Sequence, residues 1–354
     1  MGMTTKKQLS EEITAFLTSA GLVSGIDQCS VAFLPARQPV VHVATDDGGS
    51  LFAKKISVER SMGDAWLDRN SVGPSASTFC NRPETLLNSS GWLVCTFVKN
   101  VASFKTAPDE LLTYEFAKAL GWALGAFHGD SSEQYKKNGS IAECANDPHR
   151  HVGPILPLTP RAYADMPGLD RDLFIRTSQA CRAGVQELAS QLKLVCAVHG
   201  DLQGGNLLIT RTDPVGFLII DWEFAGIGDP VWDLGHLFAS LLRRWVTNVD
   251  SSSPSLDSAL AASTNEWKNL SNWWSHMLAA YNAASVKWGL PATDMKQLSR
   301  VAGHAILQRS KNILYTRGQY TGRDVLLLSL ARQLISQPER SMHVLAPDNG
   351  SGVI

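Results

Sequence analysis

Residues 198–233 constrain this chain more than any other stretch. They read V-H-G-D-L-Q-G-G-N-L-L-I, then ten residues, then I-D-W-E-F-A-G-I-G-D-P-V-W-D. The apolar runs 207–209 and 217–220 have the length of short strands, and the gap between them, 210–216, is rich in turn formers. A hairpin is the expected result. It sets Asp201 and Asn206 on the loop before its first strand and Asp221 at the end of its second. An isolated His-Gly-Asp is usually a turn, and an isolated Asp-Trp-Glu says little. Their order and spacing, with Asn206 between them and two strands flanking, is far more specific.

Those residue types suit one chemistry. Phosphoryl transfer needs neutralised phosphate oxygens, a lysine on the phosphates and a carboxylate that orients or deprotonates the attacking hydroxyl. Asp201 has the position of that carboxylate. Asn206, five residues on, and Asp221 supply hard oxygen donors, which suit magnesium better than zinc. An H-x-D-L-x-x-x-N loop followed by a strand-end aspartate is a kinase layout.

The lysine is sought upstream. Residues 29–34 and 39–45 alternate as strands, the D-D-G-G sequence at 46–49 signals a turn, and 50–56 reads as the returning strand of a hairpin. Within it, L-F-A-K-K-I carries Lys54 and Lys55. Strand alternation sends one of the two to water, and a lone lysine in a strand is ordinarily a surface residue. An anionic partner such as a triphosphate would draw the other inward. Residues 58–68 suggest a helix bearing Glu59, Asp64 and Asp68, and 92–98 a further strand.

The remainder reads as helical. Residues 9–20 make a short leading helix. Residues 108–128 carry apolar side chains at helical spacing. Residues 130–170, rich in Pro, Gly, Asn and His, read as a long irregular insertion. Helices are expected over 172–192, 234–245, around Trp267 to Tyr281, and over 302–314 and 323–335. His236 and His304 read as ordinary helix residues, and Trp267, Trp273, Trp274 and Trp288 as core. The tail from residue 346 is expected to fray.

The bulk properties narrow the partners. At 354 residues, 44% apolar and 18% charged, the chain has the composition of a soluble globular protein with room for two lobes. A formal net charge of −1 argues against a nucleic-acid footprint. No run of about 18 apolar residues suggests a membrane span, and residues 1–11 lack an apolar secretory core. Six cysteines with no C-x-x-C pair read as reduced thiols. A cytoplasmic protein without membrane or nucleic-acid partners is expected.

H-G-D-L-Q-G-G-N together with I-D-W-E-F-A-G-I-G-D-P-V-W-D-L closely resembles the aminoglycoside phosphotransferase and choline kinase group of protein-kinase-like enzymes. Gly200, where protein kinases carry arginine, is similar to that group, as is W-A-L-G-A-F-H ending at His128. The resemblance spans roughly residues 20–340 and is strong over 195–240. It implies an α+β, two-lobed protein-kinase-like fold. A small N-terminal antiparallel sheet lobe, residues 1–98, would bind nucleotide. A mainly helical C-terminal lobe, 99–354, would hold the catalytic loop (195–235) and the acceptor site, built from the insertion at 130–170 and the C-terminal helices.

The resemblance further implies ATP, with GTP also admissible, and magnesium. Asp201 becomes the catalytic base or hydroxyl-positioning group. Asn206 and Asp221 become the metal ligands, and Lys54 the phosphate lysine, with Lys55 in reserve. Glu59 is the chosen helix partner of that lysine, Asp64 the alternative. Thr96, Phe97 and Val98 would form the hinge beside the adenine. His199 would brace the loop, and Asp233 would bond its backbone. One departure is that the linker 35–38 holds no glycine.

The acceptor would be a small-molecule hydroxyl of an antibiotic, sugar, nucleoside or amino alcohol. Residues 245–354 hold seven Asp or Glu against ten Lys or Arg, which argues against a polycation. The aromatic and apolar content of the same helices suggests a neutral or partly apolar alcohol. Two other classes stand beside this one: a protein or peptide kinase of the same fold, and a non-catalytic nucleotide-binding module. With twelve residues from Asp221 to Asp233 there is no separate activation segment, which favours a small acceptor.

Overall fold

The structure is a computed structural model that describes residues 6–20, 23, 29–33, 39–45, 49–55, 92–138, 152, 168–210, 216–249, 258 and 262–345. Near its start, strands β1 (Cys29–Phe33), β2 (Val40–Thr45), β3 (Ser50–Lys55) and β4 (Trp92–Thr96) form one antiparallel sheet in sequence order. The predicted strand positions hold to within one or two residues. Where β2 ends and β3 begins, the Thr45 N–H donates to the Gly49 carbonyl at 3.0 Å.

Period-2 alternation gives this sheet two different faces. Val41, Val43, Ala53, Trp92 and Val94 pack against Leu9, Ile13 and Leu17 of helix α1 (Lys6–Ser19), forming a small core of their own. Burying each large apolar side chain stabilises this core by roughly 1.5–3 kcal/mol. Val40, Phe52, Lys54, Leu93 and Cys95 line a cavity instead. The register places Lys54 opposite Val40 and Leu93, and Lys55 opposite Trp92. Parity therefore separates the two lysines. Lys55 bonds Glu12 of α1 and lies 5.1 Å from the centre of the Trp92 ring. Lys54 faces the cavity.

The rest of the described chain is mainly helical and shares one large core. A three-stranded sheet, β5 (Val101–Ser103), β7 (Leu207–Thr210) and β8 (Phe217–Ile219), runs in the order β5-β7-β8. The pair β7–β8 is the expected hairpin, with Leu207 opposite Ile219. A two-stranded ladder joins β6 (Cys196–Val198) to β9 (Gly226–Gly228). Around them stand α2 (Tyr114–Asn138), α3 (Gly168–Gln191), α4 (Pro230–Asn248), α5 (Thr264–Lys287), α6 (Met295–Arg317), α7 (Gly322–Ser336) and α8 (Pro338–Leu345).

Helices α2 and α5 pack unusually closely. A Cβ built on Gly121 would come within 2.0 Å of the Met277 carbonyl oxygen, and one on Gly125 within 2.5 Å of that of Tyr281. Trp267, Trp273 and Trp274 are buried core residues as expected, whereas Trp288 is 38% exposed.

Three helical boundaries correct the sequence reading. A 3-10 turn, Asp109–Leu111, precedes α2, which begins only at Tyr114. The insertion expected over 130–170 is helical at both ends, because α2 runs to Asn138 and α3 starts at Gly168. Some of the polar side chains there find partners in the fold. Ser131 donates to the His128 carbonyl and accepts from Ala197 N–H, and Glu133 pairs with Lys137 one turn on. The middle of that insertion, the helix expected at 58–68 and the tail beyond 345 lie outside the described residues. No helix among the described residues is long and apolar enough to cross a membrane. Cys29, Cys181 and Cys196 are free thiols.

Candidate active site

The loop that follows β6 is clamped from behind. Asp233, in the first turn of α4, accepts from His199 N–H at 2.7 Å and from Gly200 N–H at 3.0 Å. The G-D-P-V-W-D sequence builds that first turn. Asp229 is the N-cap and accepts from Val231 N–H, and Pro230 stands at the first helical position, where a missing N–H is harmless. Asp233 is fully buried and also meets His128 Nε2 at 3.2 Å, while the Tyr281 hydroxyl lies 3.0 Å from His128 Nδ1. Burial pushes the Tyr281 phenol well up, so its O–H stays protonated and donates to Nδ1, leaving Nε2–H for Asp233. Burial also works to raise the Asp233 carboxyl. The His128 hydrogen bond, the electrostatic influence of the two neighbouring imidazoles and the His199 N–H outweigh it, and its pKa falls below the ordinary value. The carboxylate's contribution to stability is thus fully present above about pH 4 and lost as the pH falls through the folded-state value. In denaturant titrations, the stability gap between the wild type and Asp233→Asn is expected to be widest at neutral pH and to narrow in acid.

Gly200 is required for two reasons. Its φ is +82°, and an added Cβ would stand 2.3 Å from the Phe224 carbonyl oxygen. Gly200→Ala is expected to destabilise the fold by at least about 2 kcal/mol, measurable by chemical denaturation. The Gly200 carbonyl accepts from Trp232 Nε1 at 2.9 Å. His199 fixes the next turn. Asp201 N–H donates to its Nδ1 at 3.2 Å, so Nε2 carries the proton and donates to the Ile220 carbonyl at 2.9 Å. One imidazole therefore ties the Asp201 loop to the end of the second strand.

Asp201 and Asn206 meet across that loop. Asn206 Nδ2 donates to the Asp201 carbonyl at 2.9 Å and approaches its Oδ2 at 3.4 Å, which leaves Oδ1 of Asn206 as its oxygen donor. Gln203 Nε2 bonds Asp201 Oδ2 at 2.9 Å. His236 Nδ1 lies 3.6 Å from Asp201 Oδ1, so this histidine, read from sequence as an ordinary helix residue, borders the site. It sits one turn after Asp233, and that i, i+3 relation is the signal that could have placed it.

Asp221 has a left-handed backbone, φ 65°, a conformation aspartate tolerates better than most residues. The 3-10 turn Trp222–Phe224 follows. It buries Trp222 and swings Glu223 round beside Asp221. Lys54 reaches down from β3 and bonds both carboxylates, Asp221 Oδ1 at 2.7 Å and Glu223 Oε2 at 2.9 Å. Burial works to lower the ammonium pKa, but the Asp221 charge, with the hydrogen bonds to both acids, carries it above the ordinary value. Glu223 is the partner that sequence reading missed; its signal was an acid two residues after the strand-end aspartate. Glu59 and Asp64 lie outside the described residues.

These groups line one cavity of about 1090 Å³ between the small sheet and the helical part. Phe97 and Val98 lie on its wall with Leu208 and Ile220 below, and Thr96, the last residue of β4, directly precedes them. Phe97 N–H donates to the Ser50 carbonyl at 2.9 Å, which holds the connecting segment against β3. No three His, Cys, Asp or Glu side chains among the described residues form a ready-made cation cage. Asp221 and Glu223, with Asn206 nearby, are an oxygen-only set that already embraces one cation, the Lys54 ammonium. That fits magnesium, which takes one or two carboxylates and completes its shell with water and phosphate.

A family model described as "Phosphotransferase enzyme family" matches residues 64–270, more than half of the chain. Several solved structures are similar in fold. Choline kinase LicA from Streptococcus pneumoniae is 14% identical with a TM-score of 0.55, over 93% of this chain and 99% of that one. Plasmodium vivax ethanolamine kinase is 11% identical with a TM-score of 0.53, over 96% and 91%. A glucosamine kinase is 14% identical with a TM-score of 0.55, over 98% and 86%. No curated protein sequence gives a significant match.

Proposed function

Because the chain belongs to the phosphotransferase enzyme family, and its two-lobed kinase-like fold agrees, we propose that it transfers the terminal phosphoryl group of ATP to a hydroxyl of a small molecule. The observation that carries this reading is the reach of Lys54 from the small sheet to Asp221 and Glu223, beside the Asp201–Asn206 loop. In this reading residues 1–98 form the nucleotide lobe and 99–354 the acceptor lobe. The adenine lies against Thr96, Phe97 and Val98. Lys54 takes the phosphates, and Asn206 and Asp221, helped by Glu223, hold magnesium.

Bound magnesium would supply charge neutralisation of phosphate oxygens. The protein's own groups do the rest. Asp201 orients the acceptor hydroxyl and takes its proton as the hydroxyl oxygen bonds to the terminal phosphorus. The bond from that phosphorus to the nucleoside diphosphate oxygen breaks, and ADP leaves. Gln203 fixes the Asp201 carboxylate through its amide N–H, and Asn206 holds the Asp201 carbonyl and, at longer range, the same carboxylate. Lys54 trades carboxylate partners for phosphate oxygens without leaving the cleft.

The test is ATP consumption with small alcohols or peptides as acceptors, with magnesium, after chelation and after magnesium is restored. Phosphate is expected on an alcohol, in a strictly magnesium-dependent reaction. Phosphate on a peptide would favour a protein kinase. Turnover that ignores chelation would remove the metal roles of Asn206 and Asp221.

A further inference from the structure

Beyond Asp201 the cavity wall is made by one face each of α4 and α6. On α4, His236 and Arg243 lie two turns apart, about 10 Å along the axis. On α6, Gln308, Arg309, Lys311 and Asn312 lie within about one turn. All six line the cavity. Among the described residues its only carboxylates are Asp201, Asp221 and Glu223, and the last two bind Lys54.

The cations here differ from those elsewhere in the fold. Arg300 pairs with Glu187 and Arg317 with Asp324. The Arg243 guanidinium has only the Ser240 hydroxyl, at 2.9 Å, and no ion pair joins Arg243, Arg309 or Lys311 to a carboxylate among the described residues. Burial, then repulsion from Arg309, lowers Arg243 to about 10, against some relief from Asp201, and burial also lowers Lys311. Three cations share a concave wall with no ion-pair partner among the described residues, Asp201 giving Arg243 only partial relief, and this arrangement attracts an anion.

We propose that the acceptor alcohol is itself anionic, its carboxylate or phosphate ester seated on Arg243, Arg309 and Lys311 while its hydroxyl lies at Asp201. The inference rests on the phosphotransferase reading above, which places the ATP phosphates at Lys54, away from these helices. Guanidinium groups suit either oxyanion, and Gln308 and Asn312 offer neutral hydrogen bonds beside them. The site would repel the polycationic and amino alcohols, and the neutral alcohol expected from sequence would leave its charges unanswered.

The test uses matched alcohols on common skeletons, with gluconate, glucose 6-phosphate, glucose and glucosamine as the first set, magnesium and ATP, and product read by mass spectrometry. The expected result is that a carboxylate or phosphate member exceeds its neutral and ammonium counterparts by about ten-fold or more in kcat/KM; which of the two wins names the oxyanion. Arg243→Gln should erase that preference through the acceptor KM, with the KM for ATP unchanged. Lys311→Glu, at a partly buried position, should shift preference toward the ammonium member, with a melting curve to check that the variant is folded. Preference for neutral or cationic alcohols, or an anionic preference that survives both substitutions, overturns the proposal. So does Asp201-dependent ATP hydrolysis without transfer to any anionic alcohol, though it leaves the phosphotransferase reading standing. Loss of every Asp201-dependent reaction overturns both.

Discussion

Asp201→Asn is expected to lower kcat for phosphoryl transfer by roughly 10²–10⁴-fold, the range for losing a positioned acid-base group, with little change in the KM for ATP. The reason is local. Asn keeps the size of the side chain and its contact with Gln203, but it cannot take the hydroxyl proton. The clamp on the loop lies elsewhere, in Asp233 with the His199 and Gly200 N–H groups, so the fold should survive. Steady-state kinetics together with a melting curve separates the two effects. Equal rates in the wild type and the variant would leave a nucleotide-binding module.

The second large effect is a contrast between neighbours. Lys54→Ala is expected to reduce kcat/KM by about 10²–10³-fold, as for removal of one preorganised charge at a reacting group. Lys55→Ala should change activity little, and stability by about 1 kcal/mol or less, because its pair with Glu12 is partly exposed. The two side chains differ by one position in β3 and point to opposite faces of the sheet. In Lys54→Ala, Asp221 and Glu223 also lose the cation between them, so the variant should melt lower and recover in part on adding magnesium. Equal effects at both positions would contradict the facial assignment.

The sequence made much of this site legible, for identifiable reasons. The hairpin β7–β8 and the pair β2–β3 could be read because alternating apolar runs and turn formers are local signals. The loop from His199 to Asn206 could be read because its chemistry is packed into eight residues. The choice between Lys54 and Lys55 could not be made from propensity. It follows from which face α1 covers, a tertiary fact. The strands β6 and β9 were invisible: each is three residues, both are buried throughout, and G-I-G has no strand character. Glu223 was hidden for a related reason. Only the 3-10 turn brings it round to Lys54, and sequence spacing alone does not show such a turn. The helical ends of the insertion were missed because the Pro, Gly, Asn and His content of 130–170 as a whole suggested one irregular segment, whereas Ser131 at its start finds partners inside the fold.

The most direct measurement of the central claim is a mixed alcohol library incubated with the protein, magnesium and ATP labelled in its terminal phosphate. At least one alcohol should gain one labelled phosphate in step with ADP formed, and none should do so with Asp201→Asn. A folded protein that transfers no label to any alcohol, or transfers it equally without Asp201, would contradict the account.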